Sequence, residues 1–285
     1  MAQLAADDRV GTRFGDYRID ALIGVGGMGK VYRTTARDGS QVALKLVKPD
    51  LARDEIFRRR FRREAWIAQS VRNAHLVSVR DTGEHEGLLY LAAEFIDGTA
   101  LDARLADGGA LDLAGTVSIC AQIADALHAL ASAGMVHRDV KPANILLDRG
   151  ASAFLTDFGL AKDRGGSVLT RPGQPVGSMH YMAPEQIRGE PVTGVTDTYA
   201  LGCVVFECLT GRPPFADREG LRVLWAHLQD DPPDLSRARS DISSDVAEAA
   251  ASALHKEPAA RPRSSVEYAR SLAQAAGIET GRIGG

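Results

Sequence analysis

His137-Arg138-Asp139-Val140-Lys141-Pro142-Ala143-Asn144 is the stretch that decides how this chain is read. A carboxylate, an ammonium and a carboxamide crowd together just before the apolar run Ile145-Leu146-Leu147. Asp157-Phe158-Gly159 follows after a short interval. A carboxylate within reach of a hydroxyl can orient it and take its proton, and Asp139 suits that task. Lys141 can offset negative charge developing beside it. Asn144 and Asp157 offer oxygen atoms from neighbouring strand ends, the ligand type that Mg²⁺ prefers. Taken singly, each is an ordinary polar loop residue; the order and spacing carry the signal.

Working upstream, Gly24-Val25-Gly26-Gly27-Met28-Gly29-Lys30-Val31 satisfies three phosphate-binding patterns at once. All three use glycine so that backbone N–H groups can approach phosphates. A dinucleotide fingerprint or a P-loop opens a helix, whereas Val31-Tyr32-Arg33-Thr34-Thr35 is strand-like. A P-loop also needs Ser or Thr after its Lys, and residue 31 is Val. The loop therefore reads as a flap between two strands, with a plain glycine hairpin as the alternative.

Val42-Ala43-Leu44-Lys45 lies on the next strand, and Glu64 on a charged helix among Arg58, Arg59, Arg60, Arg62 and Arg63. A Lys–Glu pair would hold the ammonium against phosphates. The arginine run lacks interleaved stacking aromatics beyond Phe61, so a solvated helix face is favoured over nucleic-acid binding.

The 285 residues suit one large domain or two lobes. Hydrophobic residues at 45%, charged residues at 25% and a net charge of -3 are those of a globular protein with no general pull toward nucleic acid. Cys120, Cys203 and Cys208 form no CxxC pair and read as buried free thiols. No secretory signal is visible and the longest apolar run, near residues 199–209, is short for a bilayer. These features imply a cytoplasmic segment without membrane insertion, either free or the cytoplasmic part of a longer membrane-anchored receptor. Strands are expected at 17–24, 30–35, 41–47, 76–81 and 88–96, with a helix at 56–71. Beyond residue 98, helices are expected at 113–133, 195–209, 244–254 and 266–275. The organisation follows: a flexible extension over 1–13, a strand-rich lobe over 14–96, a helical lobe over 97–276 and a flexible tail over 277–285.

Together these motifs resemble the eukaryotic-like protein kinases, and more narrowly their bacterial Ser/Thr branch. The resemblance spans nearly the whole chain. It implies an α+β bilobal fold, with a five-stranded antiparallel small lobe carrying helix C and a larger, mainly helical lobe. It also implies ATP as phosphoryl donor, Mg²⁺ (or Mn²⁺) as metal, and protein substrates. Carried over residue by residue, Lys45, Glu64, Asp139, Lys141, Asn144 and Asp157 are the catalytic set, with Asn144 and Asp157 as metal ligands. The nucleotide would lie against Ile23, Gly24, Val25, Gly26, Gly27, Met28, Gly29, Val31, Ala43, Lys45, Ala93, Glu94, Ile96, Asn144, Leu146 and Asp157. Glu185 of Ala183-Pro184-Glu185 matches a glutamate that the family pairs with an arginine, here Arg261. Asp197 matches a buried aspartate that props the catalytic loop. Arg138 matches an arginine that meets a phosphorylated activation loop, and Thr170, then Ser167, are the expected autophosphorylation sites. Similar kinases also pair through the back of the small lobe, so a homodimer is expected.

Three features depart from the family pattern. Ser178 stands where Thr is usual, with its hydroxyl still able to bond Asp139 and Lys141. Arg171-Pro172-Gly173-Gln174-Pro175 is unusually rich in Pro and Gly. Ala93 occupies the gatekeeper position, where a large side chain is common. Lys141 favours serine and threonine over tyrosine as acceptor. A pseudokinase scaffold is the competing reading, and the full set of catalytic residue types argues against it.

Overall fold

Val42, Leu44 and Leu46 are buried while Ala43 and Lys45 between them are partly open, the period of two of a strand with one face in a core. The computed structural model describes residues 7–157 and 176–280. The chain forms two compact units. One holds the residues up to Arg72 together with Val77–Ile96; the other holds Asn73–Leu76 and the chain from Asp97 onward.

The first unit contains strands β1 (Arg13–Phe14), β2 (Tyr17–Val25), β3 (Gly29–Thr35), β4 (Gln41–Val47), β5 (Val79–His85) and β6 (Leu88–Glu94). They form one sheet in the order β1-β2-β3-β4-β6-β5, antiparallel throughout. Five strands are expected from the sequence and six are present. The additional strand, β1, is too short to show alternation; it is held because Phe14 enters the core with Ile19, Tyr32, Val42, Leu44, Leu46 and Ala92. The segment before it is bound as well. Gly11 N–H donates to the Ile19 carbonyl, Ile19 N–H donates to that of Thr12, and Asp7 accepts from Lys30 and Tyr32. The extension expected to be flexible over 1–13 is thus tied to the sheet from Asp7 onward.

The β5–β6 hairpin turns on Glu86-Gly87, both at positive φ (53° and 73°), the two-residue geometry that follows the strand twist. A strand expected at 76–81 instead begins at Val79, because Asn73 makes a local turn. Its side chain accepts from His75 N–H at 2.8 Å and its carbonyl accepts from Leu76 N–H. Helix α1 (Pro49–Ala52) is one turn, and α2 (Glu55–Ser70) is capped by Asp54, which accepts from the N–H groups of Ile56 and Phe57. Phe57, Phe61, Ala65 and Ala68 bury one stripe of α2. On its open side Arg58 and Arg62 meet Glu84 at 2.6 and 3.2 Å.

The second unit carries a small antiparallel sheet of β7 (Gly98–Ala100), β8 (Ile145–Asp148) and β9 (Ala153–Leu155). Helix α3 (Leu101–Gly108) precedes the core helix α4 (Leu113–Ser132), with Asp112 as its N-cap. Then come α5 (Pro184–Arg188), α6 (Gly194–Thr210), α7 (Leu221–Gln229), α8 (Leu235–Ala238), α9 (Ser244–Ser252) and α10 (Ser265–Ala276). Thr193, Ser243 and Ser264 cap α6, α9 and α10. By length and composition α4 could cross a bilayer, but half of its residues are buried here, where it packs on α6 and α10. Cys120, Cys203 and Cys208 are buried free thiols, and burial pushes all three well above the usual thiol range.

Candidate active site

The segment His137–Asn144 is held from below by Asp197, in the first turn of α6. One oxygen of this buried carboxylate accepts from His137 N–H and the other from Arg138 N–H, each at 2.8 Å. Those bonds hold Arg138 at φ 64°, a left-handed conformation that costs on the order of 1 kcal/mol for a residue with a side chain. Burial pushes Asp197 up to about 7, against the pull of the two N–H groups and the Arg138 charge. His137 adds a second brace. Asp139 N–H donates to its Nδ1 at 3.3 Å, so the ring is neutral with its proton on Nε2, which lies 3.0 Å from the Thr156 carbonyl.

On this frame the functional groups converge. Lys141 Nζ donates to Asp139 Oδ2 and to Ser178 Oγ, both at 3.0 Å. Asn144 Nδ2 donates to the Asp139 carbonyl at 2.7 Å and to its carboxylate at 3.2 Å. The serine at 178 therefore does reach Lys141. Thr156 N–H donates to the Asn144 carbonyl, which ties β8 to the residue before Asp157. With Asn144 Nδ2 committed to Asp139, its Oδ1 is left as an acceptor. An amide oxygen and a carboxylate form a hard oxygen donor set that fits a divalent cation such as Mg²⁺. Phe158, Gly159, Ser167 and Thr170 lie outside the described residues.

Ala183-Pro184-Glu185 begins α5, and Glu185 is 3% exposed against an Arg261 side chain that is fully buried. The pair is bidentate at 2.8 and 2.9 Å. Arg261 also donates to the carbonyls of His255, Val195 and Lys256 and lies 4.8 Å from the Tyr199 ring. Burial alone would raise Glu185; the Arg261 hydrogen bonds and charge outweigh it and hold the carboxyl below its usual value.

In the first unit, sheet register assembles the other group of predicted residues. Val31 pairs with Lys45 and Lys45 with Leu91, while Ala43 pairs with Ala93. Paired residues share a face, so Val31, Ala43, Lys45 and Ala93 line one side of the sheet. Glu64 is on α2, Glu94 ends β6, and Ile96 follows it; Leu146 is on β8 of the second unit, opposite Ala100 and Phe154. Ile23 and Val25 are 43% and 59% exposed, an apolar pair with little protein cover. Gly26 N–H donates to the Gly29 carbonyl at 2.8 Å and closes the turn, and Met28 accepts from Lys48 N–H.

The glycines divide by cause. A Cβ on Gly29 would collide with the Leu46 carbonyl, so strand packing alone requires glycine there. On Gly24 a Cβ would meet Val31 at an ordinary 3.6 Å, and on Gly26 almost nothing. Neither needs glycine for the protein's own packing, which leaves close approach of a ligand as the physical reason. That cradle fits a phosphate chain.

A protein kinase domain profile matches residues 17–273. The chain belongs to the protein kinase family. Serine/threonine-protein kinase PknH of Mycobacterium bovis is 40% identical over 267 residues, covering 93% of this chain and 45% of that protein. The kinase domain thus spans under half the length of this curated relative. The crystal structure of the Mycobacterium tuberculosis PknI kinase domain superimposes with a TM-score of 0.76 at 32% identity, covering 93% of this chain and 98% of that one. A structure of Rad53 residues 1–466 in complex with AMP-PNP gives 0.75 at 25% identity, over 90% of this chain and 65% of that one. Within the family, the domain falls among the bacterial eukaryotic-like serine/threonine kinases, an ATP-dependent class.

Two supports of this kinase site were not assigned from sequence. Gln186, the residue after Ala183-Pro184-Glu185, donates to the Arg138 carbonyl at 3.1 Å and accepts from Ala183 N–H. His137 was quoted without a role, and its two ring contacts show one. A polar side chain directly after Pro184-Glu185 was the available signal for the first; nothing local marks the second.

Proposed function

We propose that this kinase domain transfers the γ-phosphoryl group of ATP to serine and threonine hydroxyls of proteins, including hydroxyls of its own activation loop. The observation that carries the reading is the Asp139–Lys141–Asn144–Ser178 network seated on Asp197. Asp139 accepts the acceptor O–H and takes its proton as the oxygen bonds to phosphorus and the bond to the ADP oxygen breaks. Lys141, bonded to that carboxylate, places a positive charge where the transferring group is negative. Gly24 and Gly26 let backbone approach the phosphates, and Val31, Ala43, Ile23 and Val25 offer apolar cover for the base. Lys45, paired with Glu64, would hold the α- and β-phosphates. Asn144 and Asp157 would hold Mg²⁺ or Mn²⁺, which supplies neutralisation of phosphate charge when bound.

Thr170 and then Ser167 are the proposed loop sites, read by Arg138. Copies would meet through the first unit, and the domain would work in the cytoplasm. The test is mass spectrometry with radiolabelled ATP turnover, comparing the unsubstituted chain with Asp139→Asn. Transfer should fall by about 10²–10⁴, and phosphate should appear on Thr170 or Ser167 only in the unsubstituted chain. Equal incorporation in both would overturn the assignment of Asp139. Nucleotide binding without any transfer would favour a scaffold.

A further inference from the structure

Asp7 lies well outside every motif above, yet its side chain is only 6% exposed. Oδ2 accepts from Lys30 Nζ at 2.6 Å. Oδ1 accepts from the Tyr32 hydroxyl at 3.1 Å and from Arg9 N–H at 3.0 Å. One carboxylate thus grips two residues on the same face of β3, directly after the glycine turn that ends at Gly29. Tyr32 is itself a fixed post, since its ring is buried in the sheet core beside Ile19 and Leu44. The bonds persist at neutral pH: the Lys30 hydrogen bond leads in holding Asp7 below its ordinary value, and burial leads in pushing Tyr32 up to about 12.

The grip falls on the opposite face from the nucleotide residues. Val31 pairs with Lys45 on one side of β3, while Lys30 and Tyr32 alternate onto the other. Asp7 cannot touch a ligand on the Val31 face. It can restrain the strand from which the turn springs, and the rest of the turn is tied only by backbone: Gly26 N–H to the Gly29 carbonyl and Lys48 N–H to that of Met28. The backbone of Lys30 pairs with Val25 and Leu46, while its side chain is 51% exposed and its ammonium is held by Asp7.

We propose that Asp7 is a positioning residue for the kinase reaction. Through Lys30 and Tyr32 it pre-orders the Gly24–Gly29 turn and so sets nucleotide affinity without contacting the nucleotide. This rests on reading that turn as the phosphate loop.

The test is steady-state kinetics with ATP varied, direct fluorescent-ADP binding and hydrogen exchange on Asp7→Asn, Asp7→Glu and Lys30→Met. Pre-ordering lost from a binding loop weakens affinity more than turnover. Asp7→Asn and Lys30→Met should each raise KM for ATP and the nucleotide Kd about three- to tenfold, with kcat within about twofold. The double variant should be no worse than either single one, because the two act through one contact. Asp7→Glu should recover most of the affinity, and amide exchange over residues 24–29 should quicken in Asp7→Asn without nucleotide. Unchanged KM and Kd in Asp7→Asn would overturn the proposal. So would a fall in kcat and melting temperature with KM unmoved, which marks a merely structural tie. If the unsubstituted chain binds no nucleotide, the phosphate-loop reading fails and this proposal fails with it.

Discussion

The catalytic segment 137–144 and the glycine turn 24–29 are built on opposite principles. Behind the first stand two buried, partnered carboxylates, Asp197 on two backbone N–H groups and Glu185 on Arg261, and the neutral Gln186 amide donating to the Arg138 carbonyl. The second has short backbone ties, exposed neighbours at Ile23 and Val25, and one carboxylate grip at Asp7. The difference follows from the role proposed for each. A proton acceptor loses its effect when displaced by an ångström, so its support is over-determined. A loop that must admit and release a ligand belongs at the low-stability end of the fold. The two designs predict different failures: stability and turnover together in the first region, affinity alone in the second.

The largest break is expected at the Glu185–Arg261 pair. Glu185→Gln leaves a fully buried guanidinium without its counter-charge, which costs about 3–5 kcal/mol. The chain has two tryptophans, Trp66 on α2 and Trp225 on α7, so a Trp66→Phe background confines the emission signal to the second unit. Denaturant unfolding followed by Trp225 should show the loss. Because Glu185 adjoins Gln186, kcat should fall with it while KM for ATP stays near its starting value. A loss under about 1 kcal/mol would mean that the pair is dispensable packing.

Much of the catalytic segment could be read from sequence because its residues act within a few positions of one another. Asp139, Lys141 and Asn144 are bonded to each other, and the strand that follows is plainly apolar. The alternation in β4 likewise announced its faces, and register then brought Val31, Ala43, Lys45 and Ala93 together. What escaped depends on long-range geometry. β1 has two residues and no period, and its strand character comes from burying Phe14 among residues of four other strands. Residues 73–76 sit inside the first unit's sequence but pack with the second, where Asn73 donates to Asp125 and His75 meets the Ala153 carbonyl. Gly29 reads in sequence as a phosphate contact, and a second requirement for glycine there, the close Leu46 carbonyl, is one that only the folded sheet supplies.

A smaller effect separates the units by pH. His227 on α7 is fully buried, with Tyr199 Oη 2.7 Å from its Nδ1; Phe215, Lys256 and His180 are its other neighbours. Burial, then the positive charge of Lys256 and the charge of His180, lower it to about 3. Its folded value lies below the unfolded one, so its contribution is present above about pH 6.5 and is lost as pH falls. The slope is up to about 1.4 kcal/mol per pH unit. In His227→Gln, which keeps an acceptor for Tyr199, the Trp225 unfolding midpoint should depend less on pH between 6.5 and 5. Identical slopes would show that His227 does not titrate in that range.

The finest test concerns the nucleotide side, where Ala93 stands in place of a large residue. Its cross-strand partners, Ala43 and Val79, are themselves small or medium-sized. Ala93 itself is 7% exposed, and the methyl group is thus the full extent of the side chain at this point of the sheet face that carries Lys45. Pyrazolopyrimidines with a bulky aryl group at C3 should inhibit the kinase, and Ala93→Met should raise their half-inhibitory concentration at least about tenfold, near 1.4 kcal/mol. KM for ATP should change little, since ATP carries no group to occupy that space. The contrast matters more than either number. Asp7→Asn acts on the turn and should weaken ATP and inhibitor alike where phosphates contribute. Ala93→Met acts on volume and should weaken the bulky compound alone. Equal losses for ATP and inhibitor in Ala93→Met would place the effect in strand packing, and the sheet face would then have to be redrawn around a larger neighbour.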